Sequence, residues 1–452
     1  LTGTTITVGD GAVNVHAGAG NIDLSKGNIS AKGDITLQTD NGSISISGTS
    51  ATQIASITSD SGNISITSNT ETGNALTFNY VDLNAQEGNI SMSGVSSDGV
   101  GVVFKNGGYT ASATSGHIDV YGRGKTSGGQ NLYGQTKGDI NFQGESKFKA
   151  KEGSISGRKV SDPQTSTPSI YWGSLFSTAA NVSFDGDFAI SATNGMYSSG
   201  PNAFTFLNGN SSFTSDAGNA VYAFSGVSSA YEPNNITFNA SHANVSMNFS
   251  SEHENGDVFQ WHAKKKLQDG MVFSGDGNIT LSGKGNTLGS VLGFGYLNNL
   301  NMTGKLVVDA VNGLGDALYI EQKITASLIN ADITGISNGG GGGIIFNGSL
   351  SGGVIDLNGN SFTGQSVTGN GISIKGNNVT ITGGTLSGTS VENAGVAITG
   401  GSNYTIDGAN VTGQSANGTG VFVTGNLAVN NDATIIGVST GSGDGVNVNG
   451  TL

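Results

Sequence analysis

The sequence predicts an all-β fold, a right-handed parallel β-helix (β-solenoid) with about 25 residues and three short strands per rung. Three observations lead there. GISIKG (371–376), GVAITG (395–400), GVFVTG (420–425) and GVNVNG (445–450) recur at a nearly constant lag. Each copy is apolar at its second and fourth positions, which a strand points to one face. Composition agrees: 76 Gly, only 4 Pro and 11% charged residues make a chain rich in corners, while the phased apolar residues argue against a flexible linker. The right hand follows from the handedness of parallel strand crossovers.

Within the same stretch, Val379 falls over Tyr404 and Ile381 over Ile406 at a lag of 25, and Leu386 over Val411, with Ile435 or Ile436 continuing that column. Gly, Asn, Ser and Asp between the strands turn the corners. Because a repeat array lengthens its core without thickening it, the 452 residues are expected to form one continuous solenoid. With rungs about 4.8 Å apart, its length is on the order of 85 Å.

Three textures follow one another. Residues 1–160 carry a Gly-polar-Ile-polar-apolar motif: GNIDLS (20–25), GDITLQ (33–38), GSISIS (42–47), GNISIT (62–67), GNISMS (88–93), GHIDVY (116–121) and GDINFQ (138–143). From Gly42 the lags between copies run 20, 26, 28 and 22, read as the same coil with looser corners. NALTFNY (74–80) and VGVVFKN (100–106) form a partner series at a lag of 26. Residues 161–300 are the aromatic-rich part, with 19 of the 32 aromatic residues from 170 to 300, and irregular loops break the coil here. The strand anchors persist unevenly, as in SIYWGSLF (169–176), AFTFLNG (203–209) and DVFQWHA (257–263). Residues 301–452 return to regular Gly-Val-x-Val rungs.

Segments 157–170 and 251–269 read as loops thrown out from the coil. The first holds two of the four prolines, which cannot donate to an interior ladder. Beside it Lys147, Lys149, Lys151, Arg158 and Lys159 form a basic patch, read first as a solvated strand face with Glu145 and Glu152 as neighbours and second as a contact for an acidic glycan or lipopolysaccharide. The second carries the densest charge in the chain. Candidate partner-binding residues are therefore Trp172, Tyr231, Trp261, His262, Lys264, Lys265 and Lys266, set against the plainer reading that aromatics in register stack inside the coil.

Chemistry is sparse. The five histidines show no metal-ligand spacing and the acids are scattered, many at corners, so no catalytic, cofactor or metal residue is assigned and the chain is read as no enzyme. A net charge of −14 argues against a nucleic-acid partner, which needs a basic stripe. No cysteine is present, so stability is expected from the ladder and stacked core. No run of 18 apolar residues occurs, and the first residues show no signal-peptide pattern. Neither end shows an obvious polar cap, which suggests an internal piece of a repeat series.

Asn-x-Ser/Thr occurs 18 times, as at Asn28, Asn63, Asn89, Asn181, Asn235, Asn244, Asn278, Asn378, Asn410 and Asn449. Corner chemistry alone accounts for Asn at such places. Together with the Gly-Asn-Ile-Ser/Thr copies and the Cys-free, Pro-poor, Gly/Asn/Ser/Thr-rich texture, however, the motif resembles the large exoproteins of bacterial two-partner secretion, of the filamentous haemagglutinin and high-molecular-weight adhesin type. The resemblance implies a secreted, cell-surface adhesin that attaches to host cells or other bacteria through a glycan or protein receptor. It also implies export by an outer-membrane transporter partner, and hexose acceptors at the asparagines above. The family's Asn-Pro-Asn secretion signature is missing, which fits an internal repeat segment. Alternatives are a polysaccharide-degrading β-helix, or the stalk of a contact-dependent toxin or phage tail fibre.

Overall fold

A computed structural model describes the chain except residues 106, 125–138, 158–168, 173–178, 200–201, 218–222, 228–235, 255–257, 263–270, 295–296, 321–327 and 352–353. Among the described residues there is no helix. The ladders between the strands are parallel, with like residues stacked on like, and the fold is a parallel β-helix. Contacts group the chain into two units, residues 1–220 with 236–245, and residues 221–235 with 246–452.

In the second unit, the expected columns are the observed ones. Ile372 pairs with Val396, Val396 with Val421, and Val421 with Val446. Val379 pairs with Tyr404 and Ile381 with Ile406, while Leu386, Val411 and Ile435 form the third column. Ile372, Ile374, Val396, Ile398, Val421 and Val423 are fully buried, as alternation requires. Three strands make each rung, for example Val396–Thr399, Asn403–Asp407 and Asn410–Ser415.

The corners are held by a buried serine column. Ser366, Ser390 and Ser415 are ladder partners. Each hydroxyl donates to a carbonyl of the rung below (Gly341, Gly369 and Asn393; 2.6, 2.7 and 2.6 Å) and accepts an N–H three residues ahead. One side chain thus satisfies two backbone groups that the corner removes from water. Close by, a Cβ at Gly388 would run into the carbonyl of Gly395, which is why the strand tolerates only glycine there.

The first unit also has three faces, but the motif series needs correction. Ile64 pairs with Ile35 and Ile90, and Ile90 with Ile118. Ile44, expected below Ile64, pairs instead with Leu76, and Ile140 pairs with Val102. GSISIS and GDINFQ therefore lie on the face of NALTFNY and VGVVFKN, and the two shortest lags of the series were steps between faces. The physical reason is that the motif encodes a kind of corner, and two corners of this coil use it. In the GDITLQ, GNISIT and GNISMS copies, the polar residue after glycine caps the next rung: Asp34 Oδ1 accepts from Asn63 N, Asn63 Oδ1 from Asn89 N and Asn89 Oδ1 from His117 N, at 2.7–2.9 Å.

Aromatic residues fill the core where the first unit widens. Phe78, Phe104, Phe142 and Trp172 are successive ladder partners, with rings 5.5, 4.8 and 4.5 Å apart and within 17° of parallel. Phe148, Phe184 and Phe206 form a second stack at 5.7 and 5.3 Å. Ring stacking follows the strand spacing, so each aromatic finds its neighbour without leaving register. Here two faces are joined by strands that run through the corner: Tyr109–Arg123, Glu145–Gly157, Asn181–Ala192 and Ala203–Asp216. Their pairings shift register near the corner, between Ala113 and His117, between Lys149 and Glu152, and between Phe184 and Asp185.

Candidate functional site

The residues singled out for partner binding fare unequally. Trp172 is 0% exposed and belongs to the aromatic stack, so its assignment to a binding surface is corrected: register places its ring inward. Trp261 and His262 lie on the strand Phe259–His262, paired with Gly226 and Val227, and only their backbone is described. Tyr231, Lys264, Lys265 and Lys266 lie outside the described residues, as does most of both expected loops. Outward aromatics do exist one column away from Trp172. Tyr171 and Tyr197 are ladder partners with rings 5.5 Å apart, and burial raises both phenols above their ordinary range.

The described part of the basic patch is a solvated strand face on which two of three lysines meet an acid. Lys147 and Lys149 alternate outward with Lys151; Lys147 pairs with Glu145 at 2.8 Å and Lys149 with Asp185 at 3.8 Å. Arg158 and Lys159 lie outside the described residues.

Of the asparagines, Asn63, Asn89, Asn181, Asn244, Asn278, Asn378, Asn410 and Asn449 are exposed and Asn28 is half-buried; Asn235 is not among the described residues. Several hold their corner through Oδ1: Asn28 accepts from Ser56, Asn278 from Lys305 N and Asn378 from Asn403 Nδ2. A hexose on Nδ2 leaves that carbonyl oxygen in place, so the corner role and an acceptor role are compatible.

Sequence reading missed a groove of about 340 Å³ on the outside of the first unit, lined by His117, Asp119, Glu152, Ser154, Asp187 and Asn210 among others. The through-running strands create it. His117 is the ladder partner of Glu152, and Glu152 of Asp187, so three ionisable side chains stand in a row across adjacent strands. His117 Nδ1 lies 3.0 Å from Glu152 Oε1, with both side chains about half exposed. Ser154 donates to Asp119 Oδ1 at 2.6 Å, and the backbone N–H of Asn210 to Asp187 Oδ1 at 2.7 Å. The second oxygen of each carboxylate has no protein partner among the described residues. Between the polar rims the floor is short: Gly153 and Ala189, with Phe188 buried beneath. A Cβ at residue 153 would stand 2.5 Å from Phe188 Cε1, so glycine there makes room for the buried ring beneath the floor. Register was the missing signal, since the rungs carrying His117, Glu152 and Asp187 are much longer than those of the regular coil and no comparison at the regular lag aligns them.

Among the described residues no group of three or more His, Asp or Glu side chains converges to hold a metal ion. Chemically the groove offers carboxylate acceptors, hydroxyls and an amide on a firm sheet. No protein-family model, curated protein or solved structure matches this chain.

Proposed function

We propose that the chain is the repeat region of a secreted bacterial surface adhesin of the two-partner-secretion type, attaching to host cells or other bacteria. The observation that carries this reading is the stacking of like on like in both units, because a coil whose rungs need only their neighbours is suited to displaying surface, not to enclosing a reaction. Its outward columns are short and polar, such as Thr363, Ser387 and Thr412. Weak contacts repeated along such a surface add through avidity. Stability without a single cysteine suits export as an unlinked chain through an outer-membrane partner.

Fluorescent beads carrying many copies of the 452-residue chain, incubated with epithelial cells and with bacteria, test the proposal. Retention far above that of albumin-coated beads, and far above that of the monovalent chain, is the expected result. Retention equal to albumin beads overturns it. A second reading, a polysaccharide-degrading β-helix, is favoured by Glu152 and Asp187 side by side on adjacent strands, since glycoside hydrolysis uses a pair of carboxyl groups. Release of reducing ends from polysaccharides, lost on Glu152→Gln, is the result that selects it.

A further inference from the structure

We infer that the groove along His117, Glu152 and Asp187 is a saccharide site selective for neutral, hydroxyl-rich glycans. The inference rests on the adhesive reading and names the ligand class of one of its contact surfaces.

The argument starts from donors and acceptors. An ionised carboxylate only accepts hydrogen bonds. Asp119, Glu152 and Asp187 each have one oxygen engaged by a neighbouring group, from Ser154, His117 and Asn210 respectively. Among the described residues no donor reaches the remaining oxygens, which are open to donors of a ligand. A sugar supplies them as hydroxyls, and the engaged oxygens hold each carboxylate in a fixed orientation before the ligand arrives. The Asn210 amide nitrogen can donate to a sugar oxygen, and the Ser154 hydroxyl, whose hydrogen goes to Asp119, can accept from a further sugar hydroxyl.

Charge then narrows the class. Among the described residues three carboxylates and no Lys or Arg line the groove, its basic side chain His117 is paired with Glu152, and Lys149 on the adjoining strand face is turned to Asp185. A uronic acid, sialic acid or sulfated sugar would meet like charge at close range, whereas a neutral sugar does not. This separates the groove from the neighbouring lysine face, the sequence feature that had suggested acidic glycans.

Shape sets direction. The row His117–Glu152–Asp187 crosses the strands, so contacts recur at the strand spacing of about 4.8 Å. The low floor at Gly153 and Ala189 leaves a track along that row, into which a linear chain fits with its long axis across the strands.

The experiment is calorimetric titration of the purified 452-residue chain with cellohexaose, maltohexaose, xylohexaose, mannohexaose and hexagalacturonate. At least one neutral hexasaccharide is expected to bind, and hexagalacturonate at least about tenfold more weakly. Glu152→Gln with Asp187→Asn, which keeps an amide oxygen at each site, should weaken binding at least about tenfold with melting unchanged. Ala189→Trp fills the track from an exposed position without touching a carboxylate, and should abolish binding. Failure of every neutral hexasaccharide to bind overturns the inference. Equal binding by both variants and wild type, or hexagalacturonate binding as tightly as the neutral sugars, does the same. Because titration needs no cells, its failure leaves bead adhesion standing, and bead failure leaves the titration standing.

Discussion

The rungs from 372 to 448 and those from 104 to 213 use one ladder geometry to different ends. In the first stretch the core is Ile, Val and Leu, the lag between ladder partners is nearly constant, and serine and glycine columns turn the corners. In the second, stacked Phe and Trp join Ile and Val in the core, corners are crossed by strands of 12 to 15 residues, and pairing slips register there. The contrast teaches that the inward residues decide whether rungs stack, while the corner decides what the outside offers. A corner closed by short columns leaves a uniform polar face. A corner run through by continuous strands brings outward residues of adjacent rungs into a row with a groove beside it.

Substitutions at four positions probe that contrast, in falling order of effect. Ile398→Asp places an unpaired carboxylate in the aliphatic core and should cost on the order of 5 kcal/mol. Limited proteolysis should then cut near rungs 372–448; unchanged melting and protease resistance would show that the aliphatic column is not sealed. Trp172→Ala removes the end of the parallel aromatic stack and should cost about 3–5 kcal/mol in chemical denaturation, whereas Trp172→Phe keeps a ring over Phe142 and should cost less than half as much. Equal losses for the two would mean that ring stacking adds nothing to volume.

Ser390→Ala strands the carbonyl of Gly369 and the N–H of Asn393, at about 1–3 kcal/mol. Hydrogen exchange should rise at the Asn393 amide while the Gly369 amide, held by Ser366, and the aromatic region stay protected.

Asp316→Asn is the smallest change and has the opposite sign. Burial raises the Asp316 carboxyl above its ordinary value of 3.8 while its Oδ1 accepts from Gly342 N at 2.7 Å. A carboxyl whose folded pKa is raised stabilises the fold when protonated, and that contribution fades as pH rises from the unfolded pKa through the folded one. The amide keeps the acceptor and removes the charge. A slightly higher melting temperature at pH 7, with the gain shrinking as pH falls toward the ordinary carboxylate range, is expected. A gain that persists at low pH would assign the effect to something other than the charge.

How far the sequence was legible depends on whether rung length is constant. Between Ile372 and Val448 it is, and alternation plus lag named every column, including the Tyr404 position over Val379. The serine column was equally available, since Ser366, Ser390 and Ser415 keep the same lags, yet a small polar residue in a Ser-rich chain gives no contrast. In the stretch before residue 160, the Gly-polar-Ile motif marks corner chemistry and not vertical position, so it could not say that Ile44 belongs under Leu76. Trp172 illustrates a different limit. Aromatic content reads the same for a stacked core and an outward strip, and only pairing with Phe142 decides which way the ring points. For the groove, His117, Glu152 and Asp187 follow one another at a lag of 35, so a comparison at the regular lag of about 25 passes over the row.

The hydroxyl of Ser390 reaches down to Gly369 and that of Ser415 to Asn393, each asking only for a matching turn beneath it. A tandem duplication of one whole turn would therefore meet every requirement of its new neighbours, whereas gaining or losing half a turn would orphan a hydroxyl and rotate the aliphatic side chains outward. Genes encoding such a stretch can drift in copy number by whole turns through unequal recombination, with the fold acting as the filter.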